Sequence, residues 1–516
     1  MAEPLGRVVF VGAGHGDPGL VTARGARLLA EADVVVYDRA VAAVLRWAAA
    51  DAERIDVGAP AEHSTAQDAI SLLLAEKARE GSLVVRLKWG DAFVFDSGGK
   101  EALFLHEQGI PFDVIPGIPA AIGTPAYAGV PLTYPGSGDA LVLLRGHEDE
   151  RDQPPDVDWS ALARLDGTIV CYASARVAGL VLESLLEHGR PADQPAVLIY
   201  CGTLPRQHTV AGTLVELATH AAESKEADPA ILVVGEVTSL RDHLRWFDER
   251  PLFGRRIVVT RSRDQARELV ELLENLGAEP IEAPTYRLAP PDDPEALERA
   301  AASVPGQRWV VFESANAVVR FLGALCSGPR DLRALGGVRV CAIGPSTADR
   351  LTARGIKPDV VIPEFRVDVV IEAMAERGAL MSERVLIVRP DHPILEPLAA
   401  ELVRRGAVVT DVIAYRTLAP SPEMPEAQAL YRMLLDGRID AVTFTTPTSV
   451  QRFADLLGAE QTADLLKTTT VAAIGPVTAA AARELGIETT IVPDAFTVEG
   501  LVAALVKHFQ GRAART

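Results

Sequence analysis

Short β-branched and apolar runs, each closing on glycine or a polar turn and followed by apolar residues at helical spacing, recur along the whole chain. RVVFVGAG (7–14) is a strand running into glycines, LVTARGARLLAEA (20–32) has helical spacing, DVVVYD (33–38) is a second strand, and SLVVRLKWGD (82–91) enters another glycine turn. GTIVCYASA (167–175) and PAVLIYCGT (195–203) restart the strands. Strand, turn and helix in that order predict a parallel α/β sheet. The polar stretch HEDERDQPPDVD (147–158) predicts a linker between lobes at about 1–146 and 159–248. A second boundary follows DHLRWFDERPLFG (242–254), with 249–254 as linker.

The C-terminal half contains an internal repeat, in which three segments recur in the same order about 130 residues later. RRIVVTRSRDQARELVELLENLGAEPIEAPTYR (255–287) is echoed by ERVLIVRPDHPILEPLAAELVRRGAVVTDVIAYR (383–416). WVVFESANAVVRFLGAL (309–325) is echoed by AVTFTTPTSVQRFADLL (441–457), and VCAIGPSTADRLTARGI (340–356) by VAAIGPVTAAAARELGI (471–487). Two similar α/β lobes therefore fill residues 255–516. Ligands in such sheets sit outside the carboxyl ends of the strands, so the turns at Thr260-Arg261-Ser262, Glu313-Ser314-Ala315, Gly344-Pro345-Ser346 and their partners predict a shared cleft.

Composition narrows the function classes. A chain of 516 residues with 48% hydrophobic content suits three or four domains with their own cores. The net charge of −19 argues against non-specific nucleic-acid binding, which needs a basic stripe to displace counterions. Only seven of the 51 basic residues are lysine, and the rest are arginine, whose planar fork suits carboxylates. The opening residues lack the basic segment and cleavage site of a secretory signal, and no apolar run spans a bilayer, so a soluble cytoplasmic protein without membrane contact is expected. The four cysteines form no CxxC pair and the ten histidines no HExxH spacing, so no metal site is expected.

As a nucleotide signature VGAGHGD is weak: after Gly12 and Gly14 the third required position is Asp17, and no Lys-Ser/Thr follows. Its company is more specific. GAGHGDPGLVTARGARLLAEADVVVYDR, RLKWGDAFVFDSGGKEA and IPFDVIPGIPAAIGTPAYAGVPLT occur in that order, and together they resemble uroporphyrinogen-III C-methyltransferases over about residues 5–248. The resemblance implies two α/β lobes with S-adenosylmethionine bound between them. It implies cofactor contacts at Gly90, Asp91, Val94, Ala120, Ala173 and Gly202, beside the turn glycines Gly12 and Gly14, and a catalytic base at Asp38. In this chain His15 stands where the family has a proline, Trp89 where it has a glycine, Ala92 a proline, Pro119 a threonine and Ala59 the lysine proposed as proton donor. His15, titratable near neutral pH, is the candidate substitute for that lysine, and Trp89 is expected to crowd the cofactor.

The repeats, with the VTR opening, both F-x-[ST]-x-x-x-V segments, both AIGP-x-TA segments and the AYRT turn, resemble uroporphyrinogen-III synthase over about residues 255–510. The resemblance implies two flavodoxin-like parallel lobes between which the chain crosses twice: lobe A from 255–287 plus 416–510, lobe B from 288–415. It also implies closure of hydroxymethylbilane with inversion of its last ring, without metal or cofactor. Tyr415 then assists departure of the substrate hydroxyl, while Ser314, Ser346, Thr446 and Thr478 offer hydroxyls, and Arg261 and Arg416 charge, to the substrate carboxylates. The plainer alternatives are a strand-end tyrosine bonded to a carbonyl and serines and threonines that only cap helices.

The leading expectation is a fusion acting as a bifunctional enzyme: the C-terminal half makes uroporphyrinogen III, and the N-terminal half methylates it with S-adenosylmethionine toward precorrin-2, the entry to siroheme and corrinoids. The alternative is a synthase whose N-terminal half is an impaired binding or regulatory module. A ligand-sensing pair of lobes is a third reading, disfavoured by the AIGP-x-TA pairs. The expected partners are small tetrapyrroles, with a homodimer through the methyltransferase-like half as the one protein pairing considered.

Overall fold

The computed structural model describes residues 5–49, 52–58, 67–146, 153–224, 229–260, 263–283, 287–327, 330–362, 366–391, 398–418 and 423–513. The first five strands are β1 (Arg7–Gly12), β2 (Val34–Tyr37), β3 (Glu53–Asp56), β4 (Leu83–Lys88) and β5 (Phe112–Ile115). They form one sheet in the order β3-β2-β4-β1-β5, and every pairing is parallel. Val8, Val9, Phe10 and Val11 of β1 are fully buried, which is why that strand reads as one continuous apolar run: helices cover both faces of a central parallel strand.

The next five strands are β6 (Ala140–Arg145), β7 (Gly167–Ala173), β8 (Pro195–Tyr200), β9 (His208–Thr213) and β10 (Ala230–Val234). Their sheet, β6-β7-β10-β8-β9, is mixed: only β6 and β7 run parallel. The second lobe is not a purely parallel sheet, because the short link from β8 to β9 permits only an antiparallel hairpin. Its first strand, β6, also lies before the predicted linker, so the first lobe ends before Ala140 and not at 146.

The C-terminal half carries β11 (Arg256–Val259), β12 (Glu279–Glu282), β13 (Arg287–Ala289), β14 (Trp309–Phe312), β15 (Arg339–Ile343), β16 (Val360–Ile362), β17 (Arg384–Pro390), β18 (Val408–Leu418), β19 (Ala441–Phe444) and β20 (Thr470–Ala473). One sheet is ordered β12-β11-β19-β20 and the other β13-β18-β17-β14-β15-β16. The sequence repeat is therefore a repeat of strand order: β12-β11-β19-β20 corresponds to β18-β17-β14-β15. The lobe boundaries shift from the expected ones. Strand β18 runs on to Leu418 and pairs antiparallel with β13, Arg287 opposite Leu418 and Ala289 opposite Arg416, so residues 287 and 416–418 belong to lobe B.

The chain divides into two compact units, Met1–Ile257 with Leu269–Pro280 and Val502–Thr516, and Val258–Glu268 with Ile281–Leu501. The division does not fall at 249–254. Leu252 is fully buried, its amide donates to the Leu276 carbonyl, and the Arg250 guanidinium lies 4.7 Å from the centre of the Trp246 ring. An apolar side chain in the middle of this segment makes it part of a core. Leu252→Ala should cost about 2–4 kcal/mol in urea unfolding of the full chain; an unchanged midpoint would restore the linker reading.

Candidate functional site

In the first unit the carboxyl ends of β1, β4 and β5 meet with no room for side chains. A Cβ on Gly12 would stand 2.4 Å from the Gly117 amide nitrogen, and one on Gly117 would stand 2.0 Å from the Gly90 carbonyl oxygen. Gly14 and Gly90, both at positive φ, exchange backbone hydrogen bonds of 3.2 and 2.7 Å. Asp91 staples this arrangement: Oδ1 accepts from the Phe93 amide and Oδ2 from the Gly117 amide, each at 2.8 Å. Gly12 and Gly14 thus form the packed base of the turns, and neither lines the crevices that open beside them.

Two crevices adjoin this base. One, a narrow cleft, is lined by Trp89, Gly90, Asp91, Val94, Phe95, Ala120, Arg145 and Tyr172. The other, narrower still, is lined by His15, Trp89, Tyr172, Ile199, Gly202, Pro229, Ala230 and Ile231. Of the residues singled out in the sequence, Gly90, Asp91, Val94 and Ala120 meet in the first and Gly202 lies in the second. Ala173 is buried in β7 opposite Ala230 of the second crevice. Trp89 and Tyr172 line both crevices. Ala59 lies outside the described residues.

The loop from β1 clasps the loop after β8. The Thr203 hydroxyl donates to the His15 carbonyl and accepts from the Asp17 amide at 3.0 Å, and the Tyr127 hydroxyl donates to Asp17 Oδ2 at 2.7 Å. Cys201 and Thr203 flank Gly202 at φ of 48° and 67°, and Phe95 holds 52°. Left-handed non-glycine residues are uncommon and cluster at ligand sites. His15 also departs from its expected role. Burial lowers its pKa to about 4, so the ring is neutral near pH 7 and is no replacement for a protonated lysine.

Asp38 sits beside a buried ionic cluster. Its Oδ1 accepts from Arg86 Nη2 at 2.7 Å, and Lys88 Nζ lies 3.9 Å from Oδ2. Arg86 Nε in turn donates to Glu101 Oε2 at 3.0 Å, and Lys88 reaches Asp96 at 2.6 Å and Glu101 at 3.3 Å. Glu101 is fully buried and also accepts from Gln67 and Ser97. Burial, the largest single influence, raises its pKa, but the charges of Arg86 and Lys88 and the hydrogen bonds from Arg86 and Gln67 together bring it down to about 2. Arg86 and Lys88 alternate with the apolar Val85 and Leu87 along one strand, a pattern that hides a charge cluster inside what reads as a hydrophobic run.

In the second unit the Tyr415 hydroxyl lies 3.0 Å from Ser314 Oγ, which also accepts from the Ala317 amide at 3.1 Å. Two residues about 100 positions apart in sequence thus meet at the end of β14. Tyr415 is buried, whereas Arg416, on the opposite face of β18, donates to the Pro290 carbonyl and pairs with Asp292 Oδ1 at 2.5 Å. Its charge is engaged at the lobe B edge. Thr446 caps the helix Pro447–Leu457 in a reciprocal box with Ser449. Thr478 is buried on the third residue of the helix Pro476–Glu484, so it is no cap: Gly475 holds that position, as Gly344 does for the helix Pro345–Thr352 that contains Ser346. Arg261 lies outside the described residues.

Phe95, Arg145, Tyr172, Pro229, Ala230 and Ile231 were not singled out in the sequence. Arg145 and Tyr172 end or nearly end parallel strands, in register with each other, and that position was the available signal. Among the described residues no cluster of potential metal ligands occurs and no helix is long and apolar enough to cross a membrane.

Methylase-type lobes followed by synthase-type lobes define an enzyme of tetrapyrrole biosynthesis with two catalytic domains. Residues 7–218 match the tetrapyrrole (corrin/porphyrin) methylases and residues 267–503 match uroporphyrinogen-III synthase HemD. The chain is 34% identical to the porphyrin biosynthesis protein HemD of Ruminiclostridium josui over 97% of its own length and 98% of that protein. It therefore belongs to the family of that porphyrin biosynthesis protein. It is also 35% identical to the uroporphyrinogen-III C-methyltransferase of Bacillus subtilis, over 70% of this chain and 74% of the relative. The crystal structure of the Thermus thermophilus uroporphyrin-III C-methyltransferase complexed with S-adenosyl homocysteine is 34% identical, with a TM-score of 0.39, and covers 46% of this chain and 100% of that one.

The buried charges predict an acid response of the first unit. Glu101 titrates at about 2 when folded against 4.5 for an ordinary glutamate carboxyl, so its contribution is present above about 4.5 and lost as pH falls toward 2. His15 titrates at about 4 against 6.5, so the unfolded chain takes up its proton first and stability falls from pH 6.5 toward 4. Thermal midpoints should decline over both windows, and His15→Ala should flatten the upper one. Superimposable profiles for wild type and His15→Ala would remove His15 from the account.

Proposed function

We propose that the second unit closes hydroxymethylbilane to uroporphyrinogen III without metal or cofactor, and that the first unit methylates that product with S-adenosylmethionine toward precorrin-2. The meeting of Tyr415 and Ser314 carries the synthase reading. The Ala317 amide occupies one lone pair of Ser314 Oγ. If Ser314 gives its own proton to the Tyr415 oxygen, the phenolic proton is left to be offered to the departing hydroxyl as water forms. The helices that follow Gly344 and Gly475 have no side-chain cap and open on proline, so the next amides, of Ser346 and Val477, suit substrate carboxylates, with Thr446 at the end of β19 and Thr478 one residue after Val477. Arg416, already bonded to Pro290 and Asp292, orients the edge of lobe B.

For the methylase, the surroundings of the two crevices suit a nucleoside-bearing donor: glycine turns bring backbone close, the second crevice is largely apolar, and the buried His15 Nδ1 lacks a partner. S-adenosylmethionine supplies an electrophilic methyl group on a sulfonium. Asp38 is the proposed acceptor of the proton that the methylated ring must lose. Its Oδ1 is held by Arg86, so Oδ2 is the oxygen for that task. The reading places the chain in the cytoplasm, with two copies paired through the methylase half; sedimentation of the full chain as a monomer would remove the pairing.

Incubating the full chain with hydroxymethylbilane and methyl-labelled S-adenosylmethionine should yield labelled type III product. Tyr415→Phe should slow cyclisation by about 10²-fold or more, within the range of a lost acid or base, while leaving methylation of supplied uroporphyrinogen III intact. Asp38→Asn should show the reverse pattern. Full label transfer by Asp38→Asn, or an unchanged cyclisation rate for Tyr415→Phe, would reduce that residue to structure.

A further inference from the structure

The strand that carries Tyr415 departs from regular pairing one residue before it. Along β18, Val412 and Ala414 are buried in one core cluster with Val318 and Phe321 of the helix Ala315–Ser327. The two-residue period of a strand would turn position 415 to the opposite face, beside Ile413. Tyr415 instead lies in the same cluster as Val412 and Ala414. The register shows how: Val388 stands opposite Val412 and Arg389 opposite Ile413, but Pro390 stands opposite Tyr415, so Ala414 is an extra residue without a counterpart in β17. A bulge of this kind re-aims the side chain that follows it. Proline suits the position, since it has no amide to give to a regular ladder.

Because β17 stops at Pro390, the residues after the bulge need another fastening, and Asp391 provides it. Its amide donates to the Tyr415 carbonyl at 3.0 Å, and its Oδ1 accepts from the Thr417 amide at 3.0 Å. In a regular parallel ladder the Thr417 amide would meet a main-chain carbonyl. Here the carboxylate takes that place. The Asp391 carbonyl accepts instead from Arg389 Nη1 at 3.3 Å, and the same nitrogen donates to the Pro390 carbonyl at 2.9 Å while Nε meets Asp411 Oδ1 at 2.6 Å. Tyr415 is thus bracketed, with the bulge at Ala414 on one side and the two bonds of Asp391 on the other.

We propose that Asp391 is a positioning residue for ring closure, holding the backbone around Tyr415 so that the hydroxyl stays within hydrogen-bond reach of Ser314. The inference rests on the synthase reading above, in which that hydroxyl gives its proton to the departing group. An oxygen acceptor in the place of Oδ1 is what the task requires.

Steady-state cyclisation of hydroxymethylbilane by the full chain tests it. Asp391→Ala should lower kcat about tenfold or more, the effect of a displaced proton donor, with KM within about twofold of wild type. Asp391→Asn, which keeps an acceptor oxygen at the same reach, should hold kcat within about threefold of wild type, whereas Asp391→Glu, which keeps the charge but carries its oxygens one methylene further out, should be as slow as Asp391→Ala. Adding Asp391→Ala to Tyr415→Phe should cost less than about twofold more, because the group being positioned is already gone. A full further loss in that double variant, or Asp391→Glu faster than Asp391→Asn, would overturn the inference, since Asp391 would then act through its own charge. So would a wild-type kcat for Asp391→Ala. Should Asp391→Ala fail to fold, the order of Asp391→Asn and Asp391→Glu decides alone. Wild-type cyclisation by Tyr415→Phe would sink the reading of Tyr415 itself, and this inference with it.

Discussion

Direct contact of backbone with backbone at Gly12, Gly90 and Gly117 is the constraint on which the first unit depends. Three strand ends converge so closely that a single methyl group at Gly117 would stand 2.0 Å from a carbonyl oxygen. Closing the strand ends in this way sets where Trp89, Gly90 and Asp91 emerge, and hence where the crevices open. The Asp91 carboxylate, bonded to the Phe93 and Gly117 amides, fastens the same junction from the crevice side. One carboxylate thus fixes the geometry of the loop from which the crevice-lining residues emerge.

A second commitment lies behind that junction. Arg86, Lys88, Asp38, Asp96 and Glu101 bring charges into the interior, where desolvation is costly and only complete pairing makes it tolerable. Replacing such a cluster by apolar residues is often neutral for stability, whereas removing one member strands its partner. Its value therefore lies in placement: Asp38 is oriented by a guanidinium that is itself fixed by the fully buried Glu101. A carboxylate on a flexible surface loop would have no such defined direction.

The second unit solves a different problem with duplicated parts. The two lobes share the order β12-β11-β19-β20 and β18-β17-β14-β15, yet lobe B extends it with β13 and β16. That extension lengthens β18, so that its end carries Tyr415 inward and Arg416 outward in the two-residue alternation of a strand. The hydroxyl pair of Tyr415 and Ser314 stands at that end of β18.

The chain by itself determined the α/β grammar, the repeat and the two-part organisation, because hydrophobic periodicity and ordered motifs are local properties that need no partner to be read. It also marked Gly90, Asp91, Val94, Ala120 and Gly202, which do line the crevices, and Ser314 with Tyr415, which do meet. The lobe boundary before Ala140, the mixed second sheet and the packing of 249–254 were decided by pairing and burial between distant segments. Only the tertiary structure distinguished glycines that touch backbone from glycines that line a cavity, since the residue type is the same and the neighbour differs. The same holds for His15, whose ring reads as a proton carrier in sequence and becomes a neutral ring because burial disfavours its charged form.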